Sequence, residues 1–494
     1  MLKHLKRYFA YRRLKRRAKD SQRTPAICQL QLHTEQALHT VDPSYLSFSI
    51  DISVLAGGFW WEGSMGTRRG LGVLRVPPLD LNATKLNRLV AALGPAFVRV
   101  GGSEADKIHY FDSDEQDSDV LILTKETWDN LHQFIQRNHL KFAFTFKYGL
   151  FKRKQHGEWS GTEMQKLLHY SVQQGYRIEV CELGNELNAY WAFHGLRSQP
   201  RAKNLAQDYT TFTHLVKRYY PNIRVCGPGS AFWPRLGETI KPFSNITEKF
   251  LETLQIELDI VDWHYYPFQS ERSPVRTRSA IINKTVSVNA LNTFSQYSKS
   301  LRQWRDQYQP NAQLWTGETG SAQCGGQPKF SDRFTSCFWW LDQLGQGAVM
   351  GQNVMIRQSL VGGDYGLIDR LTLKPRPDYW ASWLWTQLMG ETVYALESHT
   401  PTLRGYCHQH KTSSGLCLLL INLSSKPRAL EASLTAKATA SFTLTAKKLS
   451  AKKVLINGVK PRFNKGAVAL SDFPQASTLN HISAHSITFL CIRG

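Results

Sequence analysis

The chain has 494 residues, 42% of them hydrophobic, enough to bury a large core and to exclude wholesale disorder. Its 61 lysines and arginines against 39 acids leave a net charge of +22, which favours polyanionic partners (acidic glycans, anionic lipid surfaces or nucleic acid) without choosing among them. No stretch approaches the roughly twenty apolar residues that span a bilayer, so no transmembrane helix is expected.

Residues 1–25 form a basic tail in which nine lysines or arginines precede the first acid, Asp20. Leu2, Leu5 and Phe9 recur at helical spacing, which fits a segment lying on an anionic membrane surface; a solvated tail without a target is the alternative. The tail has no apolar h-region or small-residue cleavage site, so no cleavable secretory signal is read.

Residues 26–43 hold one alternating strand, Ile27 to Thr34, expected to join a β-domain at the other end of the chain. Tyr45 to Ile50 alternates again and opens a βα rhythm. Further strands are expected at Phe97–Val100, Lys141–Phe146, Ile178–Cys181, Ile223–Cys226, Ile260–His264, Gln313–Trp315 and Gly351–Ile356. Helical patterns fall at Asn82–Leu93, Lys125–Asn138, Thr162–Gln174, Asn204–Arg218, Val288–Gln307 and Asp332–Leu344. Eight strands alternating with helices imply a (β/α)8 barrel, a TIM barrel, over residues 44–390.

After the helix Asp378–Met389 the texture changes. Val393–Leu396, Leu416–Leu423, Ala440–Thr445 and Ser486–Ile492 are short strands between polar loops, and residues 391–494 read as a C-terminal β-sandwich. The eight cysteines (28, 181, 226, 324, 337, 407, 417 and 491) show no CxxC spacing and no metal-type cluster. Several lie inside strands, so buried free thiols are expected rather than disulfides, and neither metal nor cofactor is expected.

Two stretches carry the chemistry. Cys181-Glu-Leu-Gly-Asn-Glu186 and Leu314-Trp-Thr-Gly-Glu318 each run along a strand, pass a glycine and stop at a glutamate, which places Glu186 and Glu318 on the carboxyl-end face of the barrel. One glutamate at a strand end is as readily a helix cap or a surface ion pair. Two, from the fourth and seventh strands, can flank one glycosidic bond, one as acid/base and the other as nucleophile. Asn185 is placed to hold a sugar 2-hydroxyl, while Glu182 is read as a structural carboxylate of the barrel interior. His264 and Tyr266, at the end of the sixth strand, either orient the nucleophile and line the sugar site or pack in an aromatic cluster.

These motifs, together with Ser49-Ile-Asp51, Arg99-Val-Gly-Gly-Ser103, Trp263-His-Tyr-Tyr266, Trp315 to Ala322, Met355-Ile-Arg-Gln358 and Pro377-Asp-Tyr-Trp380, resemble heparanase and the related β-glucuronidases of glycoside hydrolase family 79. The resemblance runs from about Gln29 to the end of the chain. It implies a retaining hydrolase of β-linked glucuronic acid, in small glucuronides or glycosaminoglycan-like polysaccharides, with Glu186 as acid/base and Glu318 as nucleophile. It further implies that Asp51, Ser103, Asn185, His264 and Gln358 meet sugar hydroxyls or position the carboxylates, with Tyr266 lining the site. Tyr365 and the backbone amides of Cys324 and Gly325 would take the uronate carboxyl group.

The chain departs from the family at several points. Cys324 stands where glycine is usual, Lys147-Tyr-Gly149 replaces Gly-Leu-Asn, and Trp233 falls near a glutamine. The acidic loop Asp112–Asp119 lies where heparanase is lysine-rich, and would repel a sulfated chain at that edge. The rival functions are a non-catalytic acidic-glycan-binding or membrane-surface protein, for which the loss of either glutamate would be the signature, and a nucleic-acid binder. No nucleic-acid motif is present, so no specific nucleic-acid partner is expected. Location stays open: the sequence by itself points to the cytoplasm, the family's substrates to an extracellular or membrane-surface site.

Overall fold

The computed structural model describes residues 26–64, 72–112, 120–150, 158–241, 244–463, 466–475 and 479–493. The basic tail, with its expected membrane surface, lies outside them, and so do residues 113–119 of the acidic loop. Asp112, at the loop's described edge, pairs with Lys166 across 2.7 Å, both largely exposed. Among the described residues no helix is long and apolar enough to cross a membrane.

Eight parallel strands close on themselves. They are β1 (Leu46–Asp51), β2 (Phe97–Gly101), β3 (Lys141–Phe146), β4 (Val180–Leu183), β5 (Arg224–Trp233), β6 (Ile260–Tyr265), β7 (Gln313–Thr319) and β8 (Val354–Arg357). The hydrogen-bonded order is β4-β3-β2-β1-β8-β7-β6-β5, and β5 pairs back onto β4. Phe97, Ala143, Val180, Cys226, Ile260, Trp315, Val354 and Ile356 fill one apolar layer, so the barrel interior is packed rather than open.

Helices α1 (Thr84–Ala91), α2 (Lys125–Arg137), α3 (Thr162–Gln173), α4 (Ala202–Tyr219), α5 (Thr247–Thr253), α6 (Thr293–Tyr308), α7 (Phe334–Val349) and α8 (Pro377–Leu388) follow the strands in turn. Three differ from the sequence expectation. The short α5 has no counterpart there. The expected helix Val288–Gln307 is two pieces, Val288–Leu291 and Thr293–Tyr308, parted at Asn292. Helix α7 runs through Gly345 and Gly347 instead of ending before them: a Cβ on Gly345 would lie 2.2 Å from the Tyr406 ring, and one on Gly347 2.7 Å from the Tyr45 hydroxyl. These glycines admit close neighbours and do not stop the helix.

The remaining chain builds a second sheet from β9 (Met389–Ser398), β10 (Leu403–His410), β11 (Leu416–Asn422), β12 (Ala438–Thr445) and β13 (Ser486–Ile492). Leu30–His33 pairs antiparallel with Ala395–Ser398 at its edge. A three-stranded sheet of Ile27–Cys28, Arg428–Leu430 and His481–Ile482 covers one face. β11 is buried at every residue because both of its faces are covered. Leu416, Leu418 and Leu420 meet Cys28, Leu430 and Ile482 of the small sheet, whereas Cys417, Leu419 and Ile421 join the barrel core. The second domain is thus seated on α7 and α8. All eight cysteines are free thiols, seven of them buried.

Candidate active site

β4 ends at Gly184, whose φ of +74° and whose contacts (a Cβ there would lie 2.7 Å from Leu187 and 2.9 Å from Tyr148) both require glycine. The chain then turns through Asn185 into Glu186, which itself holds a left-handed φ of +53°. For a residue with a side chain that conformation costs about 1 kcal/mol or more, and such strain concentrates at functional sites. Buried Asp106 fixes the turn by accepting from the Asn185 amide at 2.9 Å and the Tyr148 amide at 3.0 Å. The result is a buried carboxyl group aimed over the strand ends.

Glu318 arrives from β7, where the register with β6 shifts between Trp263 and His264 and sets His264 opposite Glu318. One carboxylate oxygen of Glu186 and one of Glu318 lie within 4.8 Å of each other, and His264 supplies a ring nitrogen within the same radius. Both oxygens of Glu318 are held: Oε2 accepts from Arg99 Nη1 at 2.8 Å and Oε1 from the Tyr266 hydroxyl at 2.6 Å. The other terminal nitrogen of Arg99 donates to Glu182 Oε2 at 2.8 Å and to Asn185 Oδ1 at 3.0 Å. Glu182 also accepts from Thr145 Oγ1 at 2.7 Å.

The charges follow from burial. Glu186 is held above the usual carboxyl range, first by burial and further by the charge of Glu318, against a lowering pull from His264. Burial opposes ionisation of Glu182 too, but Arg99 and then His264 outweigh it and hold that carboxyl below its usual value. His264 is fully buried, which disfavours its charge; Glu318 and its contacts with Asp262 and Glu186 outweigh that and push it up to about 10. Its Nδ1 lies 3.3 Å from Glu186 Oε1. Its Nε2 faces Asp262 at 3.7 Å and Glu182 at 3.8 Å, both longer than a hydrogen bond. The site therefore sets a carboxyl group biased toward its protonated form, Glu186, beside a second one, Glu318, clamped by a guanidinium and a phenol.

A cavity of about 260 Å³ opens over this pair. Glu186, Glu318, Asp51, Ser103, Tyr266, Cys324, Gly325, Gln358 and Tyr365 all line it. Asp51 caps the short helix Ile52–Ala56 through the Ser53 amide at 2.9 Å and accepts from Gln358 Nε2 at 3.4 Å; Gln358 is held in turn by the Ser49 hydroxyl. Burial, then Glu318, pushes Asp51 up to about 8. Asn185 and His264 do not line the cavity. They sit behind the carboxylates, Asn185 bonded to Arg99 and His264 against Glu186.

Cys324 and Gly325 take left-handed φ values of +54° and +75°, and their amides have no hydrogen-bond partner among the described residues. The peptide carbonyls around them are turned away by Arg272, which donates to Gly326 O at 2.8 Å, Cys324 O at 3.4 Å and Ser64 O at 2.7 Å, and pairs with Asp364 at 2.7 Å. Two amide donors are thus left at the cavity wall, beside Tyr365. The rest of the lining is largely apolar: Trp60, Trp61 and Trp233 cluster with Tyr365, with Cys324 and Leu236 packed against them, and Trp191 and Ile240 also line the cavity.

Sequence reasoning did not assign roles to Arg99 and Arg272. Arg99 opens the Arg99-Val-Gly-Gly-Ser103 motif, and an arginine in the middle of an apolar strand, Phe97-Val-Arg-Val, is itself a signal that a buried acid awaits it. Arg272 sits in a loop, and nothing local marks it. Two groups among the described residues bring three metal-type donors together, Glu186/His264/Glu318 and Glu182/Asp262/His264. They share His264, and the cation these carboxylates already face is Arg99, at 2.8 Å from both Glu318 and Glu182.

The profile of Glycosyl hydrolase family 79, N-terminal domain, matches residues 71–345. Heparanase-like protein 1 of Arabidopsis thaliana is 29% identical over 380 residues, 72% of this chain and 67% of that protein. Heparanase of Bos taurus is 27% identical over 461 residues, 82% of this chain and 78% of its own, and hyaluronoglucuronidase of Hirudo nipponia 27% over 450 residues, 81% and 86%. The match thus spans about two thirds of the plant relative and more of the animal ones. Among solved structures, the GH51 arabinofuranosidase from Xanthomonas axonopodis pv. citri superposes with a TM-score of 0.64 at 14% identity, over 94% of this chain and 100% of that one. A 4-O-alpha-L-rhamnosyl-beta-D-glucuronidase from Fusarium oxysporum gives 0.61 at 13%, over 94% and 99%. At such identities they share the fold alone.

Proposed function

Since the chain belongs to glycosyl hydrolase family 79 and is a glycoside hydrolase, we propose that it cleaves β-linked glucuronic acid, in small glucuronides or glycosaminoglycan-like polysaccharides, with retention of configuration. The observation that carries this reading is the Glu186–Glu318 pair, with carboxylate oxygens within 4.8 Å. Double displacement uses carboxyl groups about 5 Å apart; an inverting site needs roughly 6.5–9.5 Å to admit water between them.

In the first step Glu318 attacks the anomeric carbon while Glu186 gives its proton to the departing glycosidic oxygen. A glycosyl ester on Glu318 and a free alcohol result. In the second step Glu186, now a carboxylate, takes a proton from water, and the hydroxide so formed attacks the same carbon and releases Glu318. Tyr266 and Arg99, one on each oxygen of Glu318, orient it and stabilise it as the leaving carboxylate. The amides of Cys324 and Gly325, with Tyr365, suit a uronate carboxyl because backbone donors bring no buried counter-charge that is stranded when the site is empty. NMR of the first product from an aryl β-glucuronide tests the scheme. The β-anomer of glucuronic acid is expected, and an α-anomer would rule it out.

A further inference from the structure

A second cavity, of about 880 Å³, lies between the barrel and the β-domain, and eight lysines and arginines line it against two acids. Three of the cations are engaged: Lys85 donates to Thr372 O at 2.8 Å, Arg376 pairs with Asp369 at 3.1 Å, and Lys452 faces Asp332 at 3.8 Å. The other five, Arg88 on α1, Lys374 in the loop after β8, and Lys453, Lys460 and Arg462 after β12, have no ion-pair or side-chain hydrogen-bond partner among the described residues. All five side chains are exposed. Like charges gathered in a concave site repel one another and raise the local potential, an arrangement that a bound anion relieves. Trp380 and Phe463, with ring centroids 5.8 Å apart, give the cleft an apolar wall.

Two features connect this cleft with the catalytic cavity. The segment after β8 lines both, with Gln358 and Tyr365 at the catalytic cavity and Asp369 to Trp380 at the basic one; Arg376 ties the two ends by donating to Gly363 O at 2.6 Å. In addition, no lysine or arginine is among the described residues that line the catalytic cavity. A polyanionic chain held only there meets little positive charge.

We propose that the basic cleft is a second glycan-binding site, which holds a carboxylate- or sulfate-bearing stretch of polysaccharide while a glucuronic acid unit of that chain occupies the catalytic cavity. The proposal rests on the reading of the catalytic site given above. A concave cleft with its aromatic groups in the wall suits a sugar chain, with an apolar ring face and anionic edges, better than a flat lipid surface.

The test is the full-length Lys453→Glu/Lys460→Glu/Arg462→Glu protein, with an unchanged melting curve required. In a Glu186→Gln background, which slows cleavage of a sugar–sugar bond by orders of magnitude, calorimetry with a heparin octasaccharide and a hyaluronan octasaccharide reads sulfate and carboxylate recognition separately. Expected is at least a ten-fold weakening for one or both, with a shallower dependence on salt. With Glu186 intact, KM for the corresponding polymer should rise while turnover of an aryl β-glucuronide stays within two-fold. If the triple variant unfolds, Lys453→Gln/Lys460→Gln is used, with at least three-fold weakening expected. Unchanged binding of both octasaccharides, or tighter binding of an oligonucleotide of equal charge or of phosphatidylserine vesicles, overturns the proposal. If the wild type fails on the aryl glucuronide yet binds an octasaccharide through these residues, the catalytic reading is wrong and the cleft stands.

Discussion

Nη1 of Arg99 lies 2.8 Å from Oε2 of Glu318, and both groups are buried. The same guanidinium reaches Glu182 at 2.8 Å, so one side chain sets the spacing of two carboxylates from different strands. Lysine keeps the charge but is a single point on a flexible stem. Arg99→Lys is therefore expected to lower kcat by about 10²-fold, the scale seen when one preorganised donor is lost from a reacting oxygen, with a smaller effect on KM. Steady-state kinetics beside a melting curve will separate this from a loss of fold.

Replacing each glutamate of the pair by glutamine keeps shape and removes ionisation. Glu318→Gln has no nucleophile and should lose activity on every substrate by several orders of magnitude. Glu186→Gln should lose about 10²–10⁴-fold on a glucuronide with a poor leaving group, yet keep a fast first step with an activated aryl group, which departs without a proton. A pre-steady-state burst measures this. Equal rescue of both variants would reverse or remove the assignment.

If Glu186 is the acid of the proposed scheme, its raised value is expected to set the alkaline limb of the pH profile, with activity falling as pH rises through that value. Burial is the larger cause and the Glu318 charge a smaller one. In Glu318→Gln the Glu186 value should consequently drop only part of the way toward an ordinary glutamic acid. An infrared titration of the carboxyl band follows it, and a fall to the unperturbed value of 4.5 would make repulsion the dominant cause.

Asp51 makes a stability prediction of its own. Unfolded, it ionises near 3.8; folded, it keeps its proton up to about 8. The folded state binds that proton more tightly, so the contribution is complete below about pH 3.8 and is lost as pH rises toward 8. Asp51→Asn has no proton to lose. The stability of the wild type relative to this variant should decline between pH 4 and 8 by on the order of 2 kcal/mol or more, followed by melting at matched pH.

The barrel was legible because each strand is short, apolar and set off by a helical period, and both glutamates were legible because a strand running through glycine into an acid is a local pattern. What local pattern could not supply was whatever depends on distant partners. Gly345 and Gly347 looked like helix ends because their reason lies elsewhere, in Tyr406 and Tyr45. Strand β10, Leu-Arg-Gly-Tyr-Cys-His-Gln-His, was absent from the expected set because its polar residues hide a strand whose pairing to β9 and β11 is tertiary. Arg272 was invisible for the same reason, since it acts across segments near residues 64, 325 and 364. Asn185 and His264 were located beside the carboxylates, but that they stand behind them and not at the cavity wall follows from side-chain packing alone.

The wall that carries the two open amides makes the last prediction. Gly325 has a φ of +75°, and a Cβ there would lie 2.2 Å from Trp61 Cβ, so alanine is opposed by both the backbone and its neighbour. Relief requires Gly325 to move away from Trp61, and the Gly325 amide moves with it. If that amide holds the uronate carboxyl, Gly325→Ala should raise KM for an aryl β-glucuronide at least ten-fold. The corresponding aryl β-glucoside, which lacks the carboxyl group, has no such contact to lose, so the preference for glucuronide over glucoside should fall by a similar factor. Trp61 is buried and the substitution strains the loop, so a loss of about 1–3 kcal/mol of stability is expected alongside. The ratio of the two substrates, measured on the folded fraction, is insensitive to that loss. A glucuronide-to-glucoside ratio equal to that of the wild type would show that the amides of Cys324 and Gly325 do not recognise the carboxylate.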